Sequence, residues 1–204
     1  FMRTYGYNDA LGDALTAVDY TTYDYPQALD VFSSTLNSLQ NYVSTLSQND
    51  NTRFRSSDTG YTFADLNESI NTLRSVDYAT LSSYVLGKNV TKDKASLAIY
   101  YQYRIDNLNR NLSSANEKLA TITDSIKNYQ KDSMVVMAGA DATSSSALTQ
   151  PSEAYDDLIS QETDAQSSVS SYQQQITDYQ SRLDKLNSSA VASKKDQEKV
   201  ETDM

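Results

Sequence analysis

From Ala98 onward, apolar side chains recur at Tyr101, Ile105, Leu108, Leu112, Ala115, Leu119, Ile122, Ile126 and Tyr129, in steps that alternate three and four. A second run with the same rhythm covers Tyr155, Leu158, Glu162, Ala165, Val169, Tyr172, Ile176, Tyr179, Leu183, Leu186 and Ala190. Such alternation is the a/d seam of a heptad pattern and predicts two long helices that pack along one narrow stripe. Between them, "SMVVMAGADATSSSALTQP" (133–151) holds Gly139, a Ser/Thr cluster and Pro151, which suits the first turn of a following helix. The pattern predicts an antiparallel coiled-coil hairpin over 96–204, with arms over about 94–131 and 152–200 and a loop over about 132–151. Tyr129 is expected to face Tyr155, Ile126 to face Leu158, Leu112 to face Tyr172 and Ile105 to face Tyr179. At 1.5 Å per residue the arms run roughly 55 Å.

The first turns of this helix differ from the remainder. "SLAIYYQY" (96–103) is apolar on every side, and such a helix is expected to be buried on every side. From Arg104 onward the flanks of the seam are Asn, Gln, Ser, Thr, Lys and Arg, so a single partner helix is expected there. The helix start therefore belongs in a thicker base, supplied by residues 1–95. In that region Asp24 and Gln27 are spaced as a capping box before Leu29, Phe32, Leu36, Leu39, Val43 and Leu46. Thr62 and Asp65 repeat the device before Phe63, Leu66, Ile70 and Leu73. Asp77 is expected to start a short helix that Gly87 ends as the left-handed residue, and Thr91 to cap the long one. Leu11, Leu15 and Val18 suggest one further helix. Strand signals are nearly absent, "MVVMA" (134–138) being the one candidate. The fold class is all-α: a small helical base with a long antiparallel coiled-coil hairpin.

Composition removes most chemistry. The 204 residues include no Cys and no His, so disulfides, thiolate metal sites and the commonest general base are excluded. A net charge of −10 argues against a nucleic-acid partner. Two Pro and five Gly favour long helices over a turn-rich sheet fold. No run approaches the 18 or so apolar residues of a membrane span. The opening "FMRTYG" and the ending "VETDM" read as an internal piece of a longer polypeptide.

Few residues invite a functional reading. Glu162 breaks the second seam: it either fixes the register, pairs with a basic residue, or lies where the seam frays near the loop. Asp156 and Asp157 are neighbours on a helix, point apart, and suit a first turn by their charge. The 16 Tyr present aromatic faces that suit sugar rings, but most occupy seam or base positions, where core packing is the simpler role. Tyr5, Tyr7, Tyr20, Tyr23 and Tyr25 escape that argument. Sequons begin at Asn67, Asn89, Asn111 and Asn187, three of them in predicted helices. "SKKDQEKVETDM" (193–204) reads as a solvated helix end. No catalytic, cofactor-binding or metal-binding residue is predicted, and no enzyme.

"NVTKDK" (89–94) leading into "YYQYRIDNLNRNL" (100–112), then "YQKDSMVV" (129–136) and "EAYDDL" (153–158), resembles the extracytoplasmic part of bacterial chain-length determinant proteins, the polysaccharide co-polymerases, in their Firmicutes form. The likeness spans roughly 59–187. It implies flanking transmembrane helices outside this sequence, a place on the extracytoplasmic face of the membrane, and a non-enzymatic role in setting polymer length during surface-polysaccharide export. Partners would be proteins, or further copies through the full-length membrane protein, with polysaccharide as a weaker ligand. Members carry an α/β base, which the near absence of strand signals here does not supply. The alternative function is that of a helical-hairpin adaptor docking to a transport or secretion partner. The flanks of the seam (Gln102, Asn109, Asn116, Thr123 and Gln130; Gln166, Gln173 and Gln180) are nearly all uncharged and offer little to a permanent interface. The chain by itself is therefore expected to be monomeric or weakly associated at micromolar concentration by light scattering; an oligomer that persists on dilution overturns this.

Overall fold

The computed structural model describes residues 22–50, 53–139 and 153–204. Among these every regular element is helical: α1 (Tyr25–Asn49), α2 (Phe63–Thr72), a π-helical segment (Leu73–Tyr78), α3 (Ala79–Lys88), α4 (Lys94–Gly139), α5 (Glu153–Ser188) and α6 (Lys194–Asp203). The strand candidate 134–138 lies within α4. The expected helix at Leu11, Leu15 and Val18, the tyrosines Tyr5, Tyr7 and Tyr20, and Pro151 fall outside the described residues. The chain divides into two compact units. One is Tyr101–Leu183, and the other combines the chain up to Tyr100 with Asp184–Met204. This differs from a cut at residue 95, because α6 lies with the N-terminal helices and the expected second arm ends at Ser188 instead of near 200.

In the Tyr101–Leu183 unit the buried positions all lie on the two seams. Tyr101, Ile105, Leu108, Ile122 and Ile126 of α4 are buried, as are Ala165, Val169, Ile176 and Tyr179 of α5, while most flanks are exposed. Contacts between the helices run in opposite directions along the chain. Tyr129 stacks on Tyr155 with ring centroids 5.4 Å apart. Thr123 meets Glu162, and Tyr101 packs 5.9 Å from Tyr179. Ile122, Ile126 and Ala165 form a cluster with Leu119, Tyr155 and Leu158 against it. The guanidinium groups of Arg104 and Arg182 lie 5.4 and 5.0 Å from the Tyr179 ring centre, cation–π contacts that cover its faces.

The other unit is built around Tyr25, Leu29, Val85, Val90 and Val200, with Tyr78, Leu81, Tyr84 and Ala192 packed against them. The segment 193–204 is a mostly exposed helix end, as expected, but Val200 within it is fully buried. The hydrophobic contact of α6 is slight, one valine, and polar groups complete its attachment. Tyr25 Oη donates to Glu201 Oε1 at 2.8 Å and Tyr84 Oη to Asp196 Oδ1 at 2.6 Å. Gln197 Nε2 donates to the Thr91 carbonyl at 2.8 Å. Lys185 Nζ donates to the carbonyls of Leu86 and Gly87, closing the C-terminus of α3 where a cation is favoured.

The capping residues differ in part from expectation. Thr62 and Asp65 form the box at α2, and Ser193 and Asp196 form another at α6. Gly87, however, stays inside α3; the left-handed residue is Asn89, at φ 57°, whose short polar side chain tolerates that conformation. Asp93, not Thr91, caps α4: its carboxylate accepts from Ala95 N at 3.0 Å and from Ser96 Oγ at 2.5 Å. Thr91 is buried and donates to Asp24 Oδ2 at 2.6 Å. The same oxygen accepts the amides of Lys92 and Asp93 at 2.8 and 3.1 Å. Asp24 is thus a double agent of the chain: it stands before α1, with its amide donating to Gln27 Oε1, and it holds the turn that enters α4.

Asp77 starts no helix. Residues 63–88 are one helical stretch with a π turn at 73–78. Eight residues separate the inward-facing Ile70 and Tyr78, which overshoots two α-turns by roughly 80°. The wider i→i+5 turn takes up that excess and keeps both on the inner side. At the start of α4, Leu97 and Tyr101 are buried, but Ile99 is 72 % and Tyr103 57 % exposed. The expected burial on every side does not occur, because the helices packed here cover one face of α4 and leave the opposite one to solvent.

Asp24 is 7 % exposed, and its loss removes the acceptor of three donors, of which the Thr91 hydroxyl is buried and the amides of Lys92 and Asp93 partly so. Asp24→Ala is expected to lower stability by roughly 2–4 kcal/mol in chemical denaturation. A loss below the scatter of such measurements overturns the role given to it here.

Candidate binding groove

A groove of about 730 Å³ lies in the unit containing α6. Four helical elements line it. Phe32, Thr35 and Leu36 come from α1, where the three-four spacing after Asp24 turns Phe32 and Leu36 to one face. Leu73, Asp77 and Tyr78 come from the π turn, and Thr80, Leu81 and Tyr84 from α3. The rim is completed by Lys199, Asp203 and Met204. An apolar lining with a few polar groups at the edge is the usual character of a binding site.

The charges at the rim are unevenly balanced. Lys199 Nζ lies 4.9 Å from the centre of the Tyr84 ring and pairs with Asp203 one helical turn on. Asp77 is exposed and has no ion-pair partner among the described residues. Below the rim, Asp196 is held under the ordinary carboxylate value of 3.8, first by the Ser193 hydroxyl and then by Tyr84. The Tyr84 hydroxyl is raised in turn by that bond. Tyr25 is pushed up to about 12, by burial first and by its bond to Glu201 second.

The residues singled out in the sequence are not gathered into a site. Glu162 is half-buried in the seam, and its Oε1 accepts from Thr123 Oγ1 at 2.8 Å, so its partner is a hydroxyl across the helix pair and not a cation. Asp156 and Asp157 are both exposed near the start of α5. Tyr129, Tyr155, Tyr101 and Tyr179 are occupied with one another, and Gln130 Nε2 donates to the Tyr155 hydroxyl at 2.8 Å. Tyr25 is buried in the core and Tyr23 half-buried. Asn89 Nδ2 donates to the Lys185 carbonyl at 3.3 Å. Among the described residues no group of His, Cys, Asp or Glu is arranged to hold a metal ion, and no helix is long and apolar enough to cross a membrane. The groove itself was missed by sequence reasoning. Its one available signal was the break in apolar phase between Leu73 and Tyr78.

Compared with known proteins, the chain matches no family model, no curated protein and no solved structure.

The two tyrosine–carboxylate bonds give α6 a window of pH. A carboxylate with a lowered value stabilises the fold above its ordinary range, and this is lost as pH falls below about 4. A phenol with a raised value stabilises below 10, and this is lost as pH rises toward 12. In an alkaline titration followed by tyrosinate absorbance, one phenol is expected to ionise near pH 12, and Tyr25→Phe to remove that step. Removal of an ordinary step instead shows that Tyr25 is not buried against Glu201.

Proposed function

We propose that this protein is a non-enzymatic scaffold in which α4 and α5 form an antiparallel coiled-coil hairpin, acting on the extracytoplasmic face of a bacterial membrane in surface-polysaccharide assembly. The observation that carries the scaffold reading is the coincidence of the two apolar seams with the two buried stripes, joined by contacts from Tyr129–Tyr155 to Tyr101–Tyr179. Uncharged flanks beside such a seam provide little electrostatic choice of partner and no site for chemistry. The absence of His and Cys from the sequence favours a structural role over catalysis. The polysaccharide assignment rests on the resemblance of 89–112, 129–136 and 153–158 to chain-length determinants.

The test is made in the cell that carries the gene. Replacing the native gene with one that lacks residues 105–179 should change the length distribution of the surface polysaccharide on a gel while leaving its repeat unit intact. An unchanged distribution, together with loss of export of a protein or small-molecule cargo, would favour the adaptor reading. The hairpin has its own test. Ile122 is buried in the helix-pair cluster, whereas Ser114 is exposed. Ile122→Ala is expected to cost roughly 2–4 kcal/mol, and Ser114→Ala close to nothing. Equal losses at the two positions would mean that α4 does not bury this stripe.

A further inference from the structure

The walls of the groove are helices, and its lining includes the rings of Tyr78 and Tyr84 beside Phe32, together with Leu36, Leu73 and Leu81. The π turn leaves large apolar side chains at the surface: Leu73 is 46 % and Val76 55 % exposed. Exposed apolar side chains gathered beside a concave apolar surface mark an interaction site more often than isolated ones do.

Charge narrows the partner. Lys199 is already engaged by Asp203 and by the Tyr84 ring, so the groove holds one cation of its own and neutralises it internally. The carboxylate of Asp77 is left over, on a different wall from Asp203, in a chain of net charge −10. The complement of this surface is an apolar stripe with a basic residue beside it. A membrane or an acidic polymer lacks one or the other of these features.

We propose that the groove docks an amphipathic helix of a partner protein, its apolar stripe lying between α1 and the π turn and a Lys or Arg beside it meeting Asp77. Helix-in-groove recognition takes its affinity from two or three apolar anchors at i, i+3 or i+4 and its direction from charge. Nothing in this inference depends on the polysaccharide reading, and it holds equally for an adaptor.

The probe is a fluorescent synthetic peptide of roughly 18 residues, five helical turns, with leucines on one face and lysines flanking them. A second peptide carries Glu for Lys, and a third has the same composition in an order without a stripe. Binding to the full chain is read by fluorescence polarisation at low and moderate salt. The first peptide is expected to bind with a Kd of the order of micromolar and to weaken with salt, the Glu peptide about tenfold less tightly, and the scrambled one not at all. Leu73→Asn and Asp77→Lys are expected to weaken the first peptide about fivefold or more. Ile99→Asn, which removes an exposed apolar side chain outside the groove, should leave it unchanged. Leu73 and Asp77 are at the surface, and wild-type melting curves verify that the variants fold. Backbone amide shifts on titration supply a second readout and should concentrate in Phe32–Leu36, Leu73–Tyr84 and Lys199–Asp203. Equal binding of the Lys and Glu peptides, wild-type affinity in both groove variants, or shifts spread along α4 and α5 would each overturn the proposal.

Discussion

One carboxylate oxygen organises the unit that combines the N-terminal helices with α6. Asp24 Oδ2 accepts Thr91 Oγ1 and the amides of Lys92 and Asp93, groups more than sixty residues away in sequence. These donors fix the turn between α3 and α4, and Thr91 uses its carbonyl to accept Gln197 of α6. The start of α1, the entry to α4 and the last helix are therefore joined through two neighbouring residues. A buried carboxylate with three charge-assisted hydrogen bonds tolerates little displacement, since each donor it released would be left unsatisfied. Its other oxygen, Oδ1, is buried without a hydrogen-bond partner, a polar cost that this junction retains. Apolar burial could not have specified the same geometry, because Val90 and Val200 would accept many neighbours of similar size, whereas three converging donors accept one.

The sequence disclosed those features that follow from periodicity. Every seam position from Tyr101 to Tyr129 and from Tyr155 to Leu186 is buried or half-buried, Glu162 among them, and Ala190 alone is exposed because α5 has ended. A repeat sustained over so many turns leaves little freedom, since slipping by one residue would turn the whole stripe to water. Features that depend on contacts distant in sequence were not legible. Thr91 is as good a cap by type as Asp93, and only the remote Asp24 decides between them. Val200 stands alone among charged residues, so no period announces it, and its burial comes from Tyr25, Val85 and Val90. The groove was hidden for the same reason: its walls come from α1, the π turn, α3 and α6, which no local pattern connects.

The many tyrosines acquire a physical role in a helix pair. With only one partner, seam residues have one edge near water, and a tyrosine suits that place because its ring packs while its hydroxyl reaches the edge. Tyr129 and Tyr155 are both half-buried in this way, stacked on each other with the Tyr155 hydroxyl bound by Gln130. Tyr179 is buried more deeply and is flanked by two guanidinium groups. A ring engaged as Tyr179 is has no face to offer a sugar. A carbohydrate-contacting surface, if this chain forms one, would have to use other groups than Tyr179.

The π turn and the groove have a common origin. An α-helical path through Leu73–Tyr78 would place Ile70 and Tyr78 roughly 80° apart around the axis, and one of them would leave the interior. The chain keeps both by accepting the poorer hydrogen-bond geometry of a wider turn. Widening the turn has a second effect, because residues between the two inward positions are carried outward. Leu73 and Val76 become exposed, and Asp77 is brought to the lining without an ion-pair partner among the described residues. A helix that only had to close the base would gain by filling those positions with polar residues. Here they hold a leucine, a valine and an aspartate beside three aromatic rings. Local backbone irregularity, exposed apolar side chains and a carboxylate on the groove lining thus fall on the same six residues, whose Arg74 is directed to Gln40 and not to the lining, and the proposed binding role accounts for all three at once.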